Sequence, residues 1–302
     1  MIRHKFVFKI KDQHKYTSHR KLVISGNVVE LLQYEKPIVR GENRKRKGRA
    51  GQTDTTEDIK ASNRQKTAFR SKQRVRRLAN TNFAGKNAKF VTLTYAENKT
   101  SVSAADHDFK TCIQRLTYYA NKNGEEFKYI AVREFQERGA VHYHMLCNLP
   151  YTENKVLADI WGHGFVNIQS VKDIDNVGAY ITKYMTKDVE DERLRGRKSY
   201  LCSKDLAEPV EAMREEVIDE ILCEIGEVKR VLPAVTYETE HYGEVQYTQI
   251  ILAEAPDRTR LREILQAPRE KGSTGKSVSP KPRGALAQPR GVAAERKQLS
   301  LC

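Results

Sequence analysis

The order of elements predicted between residues 89 and 188 constrains the fold more than any other feature of the sequence. Strand-like runs of β-branched and aromatic residues alternate there with amphipathic helical stripes, and the segment ends in a helix at 173–188. In chain order the elements are strand, helix, strand, strand, helix, strand and helix. This order favours an α+β fold in which helices pack on a ferredoxin-like, RRM-like antiparallel sheet. The four strands are predicted at 89–95, 129–136, 141–146 and 165–171.

Composition divides the chain into five segments. Polar, glycine-bearing and charge-dense stretches lie around a more apolar core, and stretches of this kind form linkers or disordered tails. The segments are an N-terminal strand region (1–39), a basic linker and helix (40–80), a core (81–205), an accessory helix and hairpin (206–267) and a disordered basic tail (268–302).

The flanking segments carry their own predicted elements. Short strands are expected on both sides of a Gly26-Asn27 turn signal, and a basic helix is expected before the core. After the core, apolar residues at helical spacing predict an acidic amphipathic helix, followed by a hairpin. These elements are placed at 6–10, 21–25, 28–32, 63–80, 207–231 and 235–251.

Positive charge is concentrated outside the core. The chain has 54 Lys and Arg against 39 Asp and Glu, a formal net charge of +15. Residues 40–80 contribute a net +10 and residues 268–302 a net +6, so the rest of the chain sums to −1. Clustered charge of one sign favours nucleic acid or another acidic surface as partner, and a helix of single-sign charge is suited to following phosphates. The predicted DNA-binding residues are Arg64, Arg70, Arg74, Arg76, Arg77, Lys187, Arg195 and Arg197.

The cysteine pattern and hydropathy bear on the compartment. Five scattered cysteines without a Cys-x-x-Cys spacing indicate neither a disulfide framework nor a zinc knuckle, and favour a reducing environment. The N-terminus lacks the features of a signal peptide, and no apolar run approaches the roughly 18–20 residues that span a bilayer. We expect a soluble intracellular protein without membrane association.

Two histidines two positions apart on the 141–146 strand are the first chemical signal. Strand side chains alternate, so His142 and His144 point to the same face. Glu134 lies on the preceding strand of the same hairpin, where its carboxylate can face them. Such a set suits a divalent ion with open positions, and Mg²⁺ or Mn²⁺ is expected if a phosphate also contributes oxygens. Gln136 and Glu137 are rival third ligands, and two histidines without any ligand role are the competing interpretation.

Two tyrosines four positions apart on the 173–188 helix are the second signal. Helical spacing makes Tyr180, Lys183 and Tyr184 neighbours. At about 100° per residue, Tyr180 lies on the more exposed side, whereas Tyr184 falls near the apolar stripe. A tyrosine of pKa about 10 is rarely ionised at neutral pH, so the Lys183 ammonium would favour its use as a nucleophile. The alternatives are a solvated lysine and a Tyr184 that is partly core.

Together these motifs resemble those of rolling-circle replication initiators of the HUH endonuclease superfamily, as in small plasmids and single-stranded DNA phages. Three motifs occur in the family's order: the 90–95 strand, His142-Tyr143-His144, and the segment from Tyr180 to Tyr184. The resemblance covers roughly residues 88–190, and its last motif is similar to the two-tyrosine form. It implies the HUH endonuclease fold for the core.

The resemblance also implies roles for these residues. His142, His144 and Glu134 would hold the metal, and Tyr180 would attack a phosphodiester of single-stranded DNA or of an origin hairpin. Attack would leave a 5′-phosphotyrosine and a free 3′-OH for a polymerase, and Tyr184 would serve the second cleavage that ends the round. Unwinding would require a host helicase, because no helicase domain follows in the sequence. The implied setting is the cytoplasm of a bacterial host.

Two other functions compete with replication initiation. One is a related relaxase or single-strand transposase, although typical relaxases carry the tyrosine before the histidine motif. The other is a non-catalytic, RRM-like binder of single-stranded nucleic acid, with Tyr95, Tyr143 and Phe165 as stacking residues. The binder would not need a His–His–Glu set or Lys183.

Overall fold

In the computed structural model, residues 16–40, 56–85, 88–185 and 191–267 are described, and they form two antiparallel sheets and six helices. The predicted mixture of helices with antiparallel sheet is confirmed, while the finer ferredoxin-like assignment stays a prediction. The strands are β1 (Tyr16–Ser25), β2 (Val28–Arg40), β3 (Lys89–Tyr95), β4 (Tyr129–Phe135), β5 (Val141–Cys147), β6 (Gly164–Ser170), β7 (Tyr200–Cys202), β8 (Val210–Ala212), β9 (Val228–Val231), β10 (Val235–Thr239) and β11 (Gly243–Leu252). The helices are α1 (Glu57–Phe83), α2 (Val102–Lys122), α3 (Asn154–Trp161), α4 (Val177–Thr182), α5 (Glu215–Glu224) and α6 (Arg258–Gln266).

The central sheet has five strands in the order β6-β3-β5-β4-β7, and all its pairs are antiparallel. Its first four strands and the helices between them follow the predicted order. A tight turn at Gly139, whose φ is +86°, joins β4 to β5 as the expected hairpin. The two strands of the histidine–glutamate hairpin therefore lie in the middle of the sheet, where neighbours on both sides fix their register.

The two faces of this sheet are covered by different helices. On one face α2 and α3 pack against buried residues such as Leu93 and Tyr143. On the other face the C-terminal half of α1 and the short α4 pack against Phe90 and Leu146. Residues of β5 alternate between these faces, so His142 and His144 lie on the α1 side with Leu146.

The second sheet joins strands from both ends of the described chain. Its order is β10-β11-β2-β1-β8, with β9 also paired to β11, and α5 and α6 cover one of its faces. The other face is tied to α1: Glu30 accepts from Arg77 Nε at 2.6 Å, and Gln249 Oε1 accepts from Arg76 at 2.8 Å. Helix α1 is thus shared between the two sheets.

Several predicted elements differ in extent. The helix at 63–80 is longer, because α1 covers Glu57–Phe83. The helix at 207–231 is wrong over much of its length, since α5 covers only Glu215–Glu224 and its predicted ends are strands. Val210 pairs with β1 and Val228 with β11, so residues at helical spacing are recruited by strands distant in sequence.

Other expectations on the flanks have a simpler outcome. The strands at 21–25 and 28–32 and the hairpin at 235–251 are confirmed. The strand at 6–10 and the tail at 268–302 lie outside the described residues, and the five-segment division stays a prediction. Among the described helices, none has the length and apolar composition needed to cross a membrane.

Candidate metal and tyrosine site

The predicted metal ligands lie side by side on the central sheet because the strand register aligns them. Thr94 of β3, His142 of β5 and Glu134 of β4 form one row across the strands. Thr92 and His144 occupy the next row on the same face. Alternation along three paired strands therefore brings a carboxylate and two imidazoles together, as the hairpin pattern predicts.

Glu134, His142 and His144 have the composition and spacing of a metal site. One potential ligand atom from each lies within 4.8 Å of the others. Glu134 Oε2 lies 2.7 Å from His144 Nε2, and the two side chains are largely buried. Their oxygen and nitrogen donors fit a divalent cation whose remaining positions stay open for substrate oxygens. Of the rival ligands, Gln136 instead accepts from Arg138 through its side chain.

The surroundings of the histidines favour their neutral form. Burial, followed by the nearby His144, lowers the pKa of His142 to about 4. A neutral imidazole is the form that binds a metal. The Thr94 hydroxyl is hydrogen-bonded to His142 Nε2, and the Thr92 hydroxyl lies 3.3 Å from His144 Nδ1. These two threonines orient the rings, and sequence reasoning did not single them out as site residues.

Both predicted tyrosines pack against this site. The Tyr184 ring stacks on His144 with centroids 3.7 Å apart and planes 22° apart. Phe90 lies beside them, 4.8 Å from the Tyr180 ring and 5.6 Å from the Tyr184 ring. Lys183 Nζ is 5.5 Å from the Tyr180 centroid, so the predicted cluster of three exists. Burial, then a hydrogen bond with Tyr180, raises the pKa of Tyr184 to about 12.

The segment that carries the tyrosines is not the long helix expected at 173–188. Helix α4 covers only Val177–Thr182, and a 3-10 turn follows at Lys183–Met185. Tyr180 is therefore on the α-helix and Tyr184 on the tighter turn, and both side chains are half-buried. The expectation that Tyr180 is the better exposed of the two stays a prediction, because the 100° step on which it rests does not hold in a 3-10 turn.

A buried asparagine that sequence reasoning missed anchors this segment to α1. Asn80 is 1% exposed; its Oδ1 accepts from Gly178 N at 2.7 Å and its Nδ2 donates to Asn176 Oδ1 at 3.0 Å. Asn176 in turn caps α4 by accepting from Ala179 N. At Gly178 a Cβ would lie 2.0 Å from the carbonyl oxygen of Arg76, so only glycine permits this approach. The glycine is the one local sign of the contact that the sequence offers.

The predicted DNA-binding arginines divide into two groups. Arg64, Arg195 and Arg197 line a groove of about 1170 Å³ between α1 and the loop before β7, which Met185 also lines. Arg74 instead pairs with Glu208 at 2.6 Å, while Arg76 and Arg77 are bonded to the second sheet. Arg70 is exposed, and Lys187 lies outside the described residues. The DNA-binding role of these residues stays a prediction.

The aromatic residues of the RRM-like alternative are placed unequally. Tyr95 and Tyr143 are 3% and 0% exposed, on the face covered by α2 and α3. Their hydroxyls donate to Asp108 and Asp106 respectively. Two of the three proposed stacking residues thus belong to the core, whereas Phe165 is 73% exposed.

Comparison with known proteins adds a family to this geometry. Residues 88–189, about a third of the chain, match the model of the replication-associated protein ORF2 family. The matched stretch contains Glu134, both histidines and both tyrosines. No curated protein and no solved structure matched the chain. The match supports a replication-associated, DNA-binding protein that initiates rolling-circle replication, and the site offers a group of residues consistent with a divalent metal.

Proposed function

We propose that this chain nicks and rejoins single-stranded DNA at a replication origin through a tyrosine–phosphate intermediate. The packing of Tyr184 on His144 carries the proposal, because it puts the tyrosine segment in contact with the residues suited to a metal. Nicking would begin a round of rolling-circle replication, and a second cleavage would end it. The family match over residues 88–189 supports the same function.

Tyr180 is the proposed first nucleophile. Its oxygen bonds to phosphorus while the bond from phosphorus to the 3′ oxygen breaks, which gives a 5′-phosphotyrosine. The phenolic proton is lost to solvent, and the leaving oxygen takes up a proton to become a free 3′-OH. Lys183, 5.5 Å from the Tyr180 ring centroid, would favour the phenolate or protonate the leaving oxygen. A bound Mg²⁺ or Mn²⁺ would supply positive charge to the phosphate oxygens.

Tyr184 is the proposed second nucleophile. It would cut the displaced strand when the origin is regenerated, and the 3′-OH released there would attack the phosphate held on Tyr180. That attack breaks the phosphotyrosine bond and closes the strand into a circle. One phosphodiester is exchanged for another at each step, so no nucleotide cofactor is required. The hydrogen bond between the two tyrosines supports their use at one site.

The groove lined by Arg64, Arg195 and Arg197 is the proposed path of the DNA backbone. It also borders Met185, which follows Tyr184 directly. Arginines along such a groove neutralise phosphates and position the strand, although they carry no sequence preference themselves. A host polymerase would extend the 3′-OH, and a host helicase would unwind the duplex.

The test is to incubate the protein with single-stranded DNA that carries the origin, with Mn²⁺ or Mg²⁺ or with EDTA. We expect a covalent protein–DNA band that requires the metal and is lost in Tyr180→Phe. Tyr151→Phe is the matched control, because Tyr151 is a tyrosine 85% exposed and outside the site. A band that survives Tyr180→Phe but is lost in Tyr184→Phe would reverse the order of the tyrosines. Absence of any adduct with either metal, despite DNA binding, would leave a non-catalytic binder.

A further inference from the structure

The edge strand β6 exposes a strip of side chains on the same face as the metal residues. Along β6 the exposed residues Phe165, Asn167 and Gln169 alternate with half-buried ones. Strand pairing sets Phe165 opposite Thr94 and Asn167 opposite Thr92 on β3. The strip therefore belongs to the α1 side of the sheet, but its residues are open to solvent.

Phe165 continues the row that carries the metal residues. Across four strands the row consists of Phe165, Thr94, His142 and Glu134. Neighbouring strands lie about 4.8 Å apart, so the Phe165 and His142 backbones are about 10 Å apart. The Phe165 ring thus stands two strands from the metal residues, on the edge strand of the described sheet.

The exposure of Phe165 is not explained by a need of the core. The residues that alternate with it, Val166 and Ile168, already pack on the α2 side of the sheet. Phe165 itself is 73% exposed, and its neighbours on the strip are carboxamides. A single exposed phenylalanine is ordinary on a protein surface. Its alignment with the metal row and its carboxamide neighbours together point to a ligand with an aromatic face and polar edges.

We propose that Phe165 stacks on a base of the single-stranded DNA next to the scissile phosphate, with Asn167 and Gln169 available to hydrogen-bond base edges or phosphates. This proposal rests on the proposed function and names a further positioning residue for it. Every base has a π-face, so such stacking holds the strand irrespective of sequence. The arginine groove and the β6 strip would then contact the strand in different ways, by charge and by stacking.

Binding of fluorescein-labelled oligo(dT) in EDTA tests the proposal without cleavage. Loss of one base–aromatic stack is expected to weaken binding of Phe165→Ala about 5- to 150-fold. Phe165→Trp is expected to bind like the wild type, and its added indole emission should be quenched by DNA. Tyr118→Ala is the matched control, because Tyr118 is also 73% exposed but lies on α2, over the opposite face. This control should bind like the wild type.

Salt dependence separates stacking from charge. Phe165→Ala should keep the wild-type slope of log affinity against log salt, whereas Arg195→Ala should reduce the slope by about 1. Wild-type affinity in Phe165→Ala, or an unquenched Phe165→Trp, would overturn the stacking role. The covalent-adduct assay on the wild-type protein reports separately on the proposed function. An active enzyme with unaffected binding in Phe165→Ala refutes this inference alone.

Discussion

Replacement of Gly178 by alanine is expected to destabilise the protein, although alanine is the better helix former. In an unobstructed helix interior the change would stabilise by about 0.8–1.0 kcal/mol. Here the new Cβ would lie 2.0 Å from the carbonyl oxygen of Arg76 and 2.7 Å from its carbonyl carbon. Both are backbone atoms of α1, so a side-chain rotation cannot relieve the overlap and α4 must move.

The steric cost decides the sign of the effect. Overpacking of this kind costs about 1–3 kcal/mol, and an overlap of more than an ångström with backbone lies at the upper end. Subtracting the gain in helix propensity leaves a net loss of about 2 kcal/mol. The Asn80 hydrogen bond to Gly178 N would also be stretched. A displacement of about 1 Å in a catalytic segment lowers rates about 100-fold, and α4 with its 3-10 turn carries both tyrosines.

Urea unfolding and the rate of covalent adduct formation measure the two effects. Gly226→Ala is the control, since nothing lies within 4 Å of the Cβ position and φ is not positive there. The control should stay within about 0.5 kcal/mol of the wild type. A Gly178→Ala protein that is more stable than the wild type and forms the adduct at the wild-type rate would refute the close approach of α4 to α1.

Other parts of the structure support three more predictions. Calorimetric titration with Mn²⁺ should show that His144→Ala loses more affinity than the roughly 10- to 100-fold typical of a residue that only supports a ligand; unchanged affinity would remove it from the metal site. Glu30→Ala should cost about 3 kcal/mol in urea unfolding because it leaves the partly buried Arg77 unpaired, and an unchanged midpoint would contradict the pair's role. Burial raises the pKa of Glu215, but hydrogen bonds led by Arg20 outweigh it and hold this pKa below its usual value. Its contribution to stability is therefore present above the unfolded pKa of about 4.3 and lost as pH falls through the folded value; Glu215→Gln should flatten that acid-side loss, and an identical pH profile would count against it.

The sequence predicted the centre of the fold well because the relevant signals there are local. Alternation within single strands locates β3, β4 and β5, and one short turn at Gly139 fixes the hairpin register. The alignment of Glu134 with His142 follows from those two facts alone. For the same reason the metal residues were identified together, before any tertiary contact was known.

The flanks were predicted less well because their partners are distant in sequence. Val210 and Val228 fit a helical stripe by spacing, yet each meets a strand that no local pattern reveals. The contact of Asn80 with Gly178 spans 98 residues, and an asparagine in a basic helix gives no sign of it. Helical periodicity likewise continued the α-helix through Tyr184, since nothing in the sequence marks the change to a 3-10 turn at Lys183.

These long-range contacts explain why segments outside the family match bear on the site. The tyrosine segment is a helix of six residues and a short turn, too short to be stable by itself. Its position is set by α1, through Asn80 and the close approach at Gly178. Helix α1 is in turn fixed by the second sheet, because Glu30 and Gln249 bind its arginines on the side away from the tyrosines. The strands on either side of the matched region therefore act on the chemistry by holding one helix, and α1 serves the site more as its support than as a free basic arm.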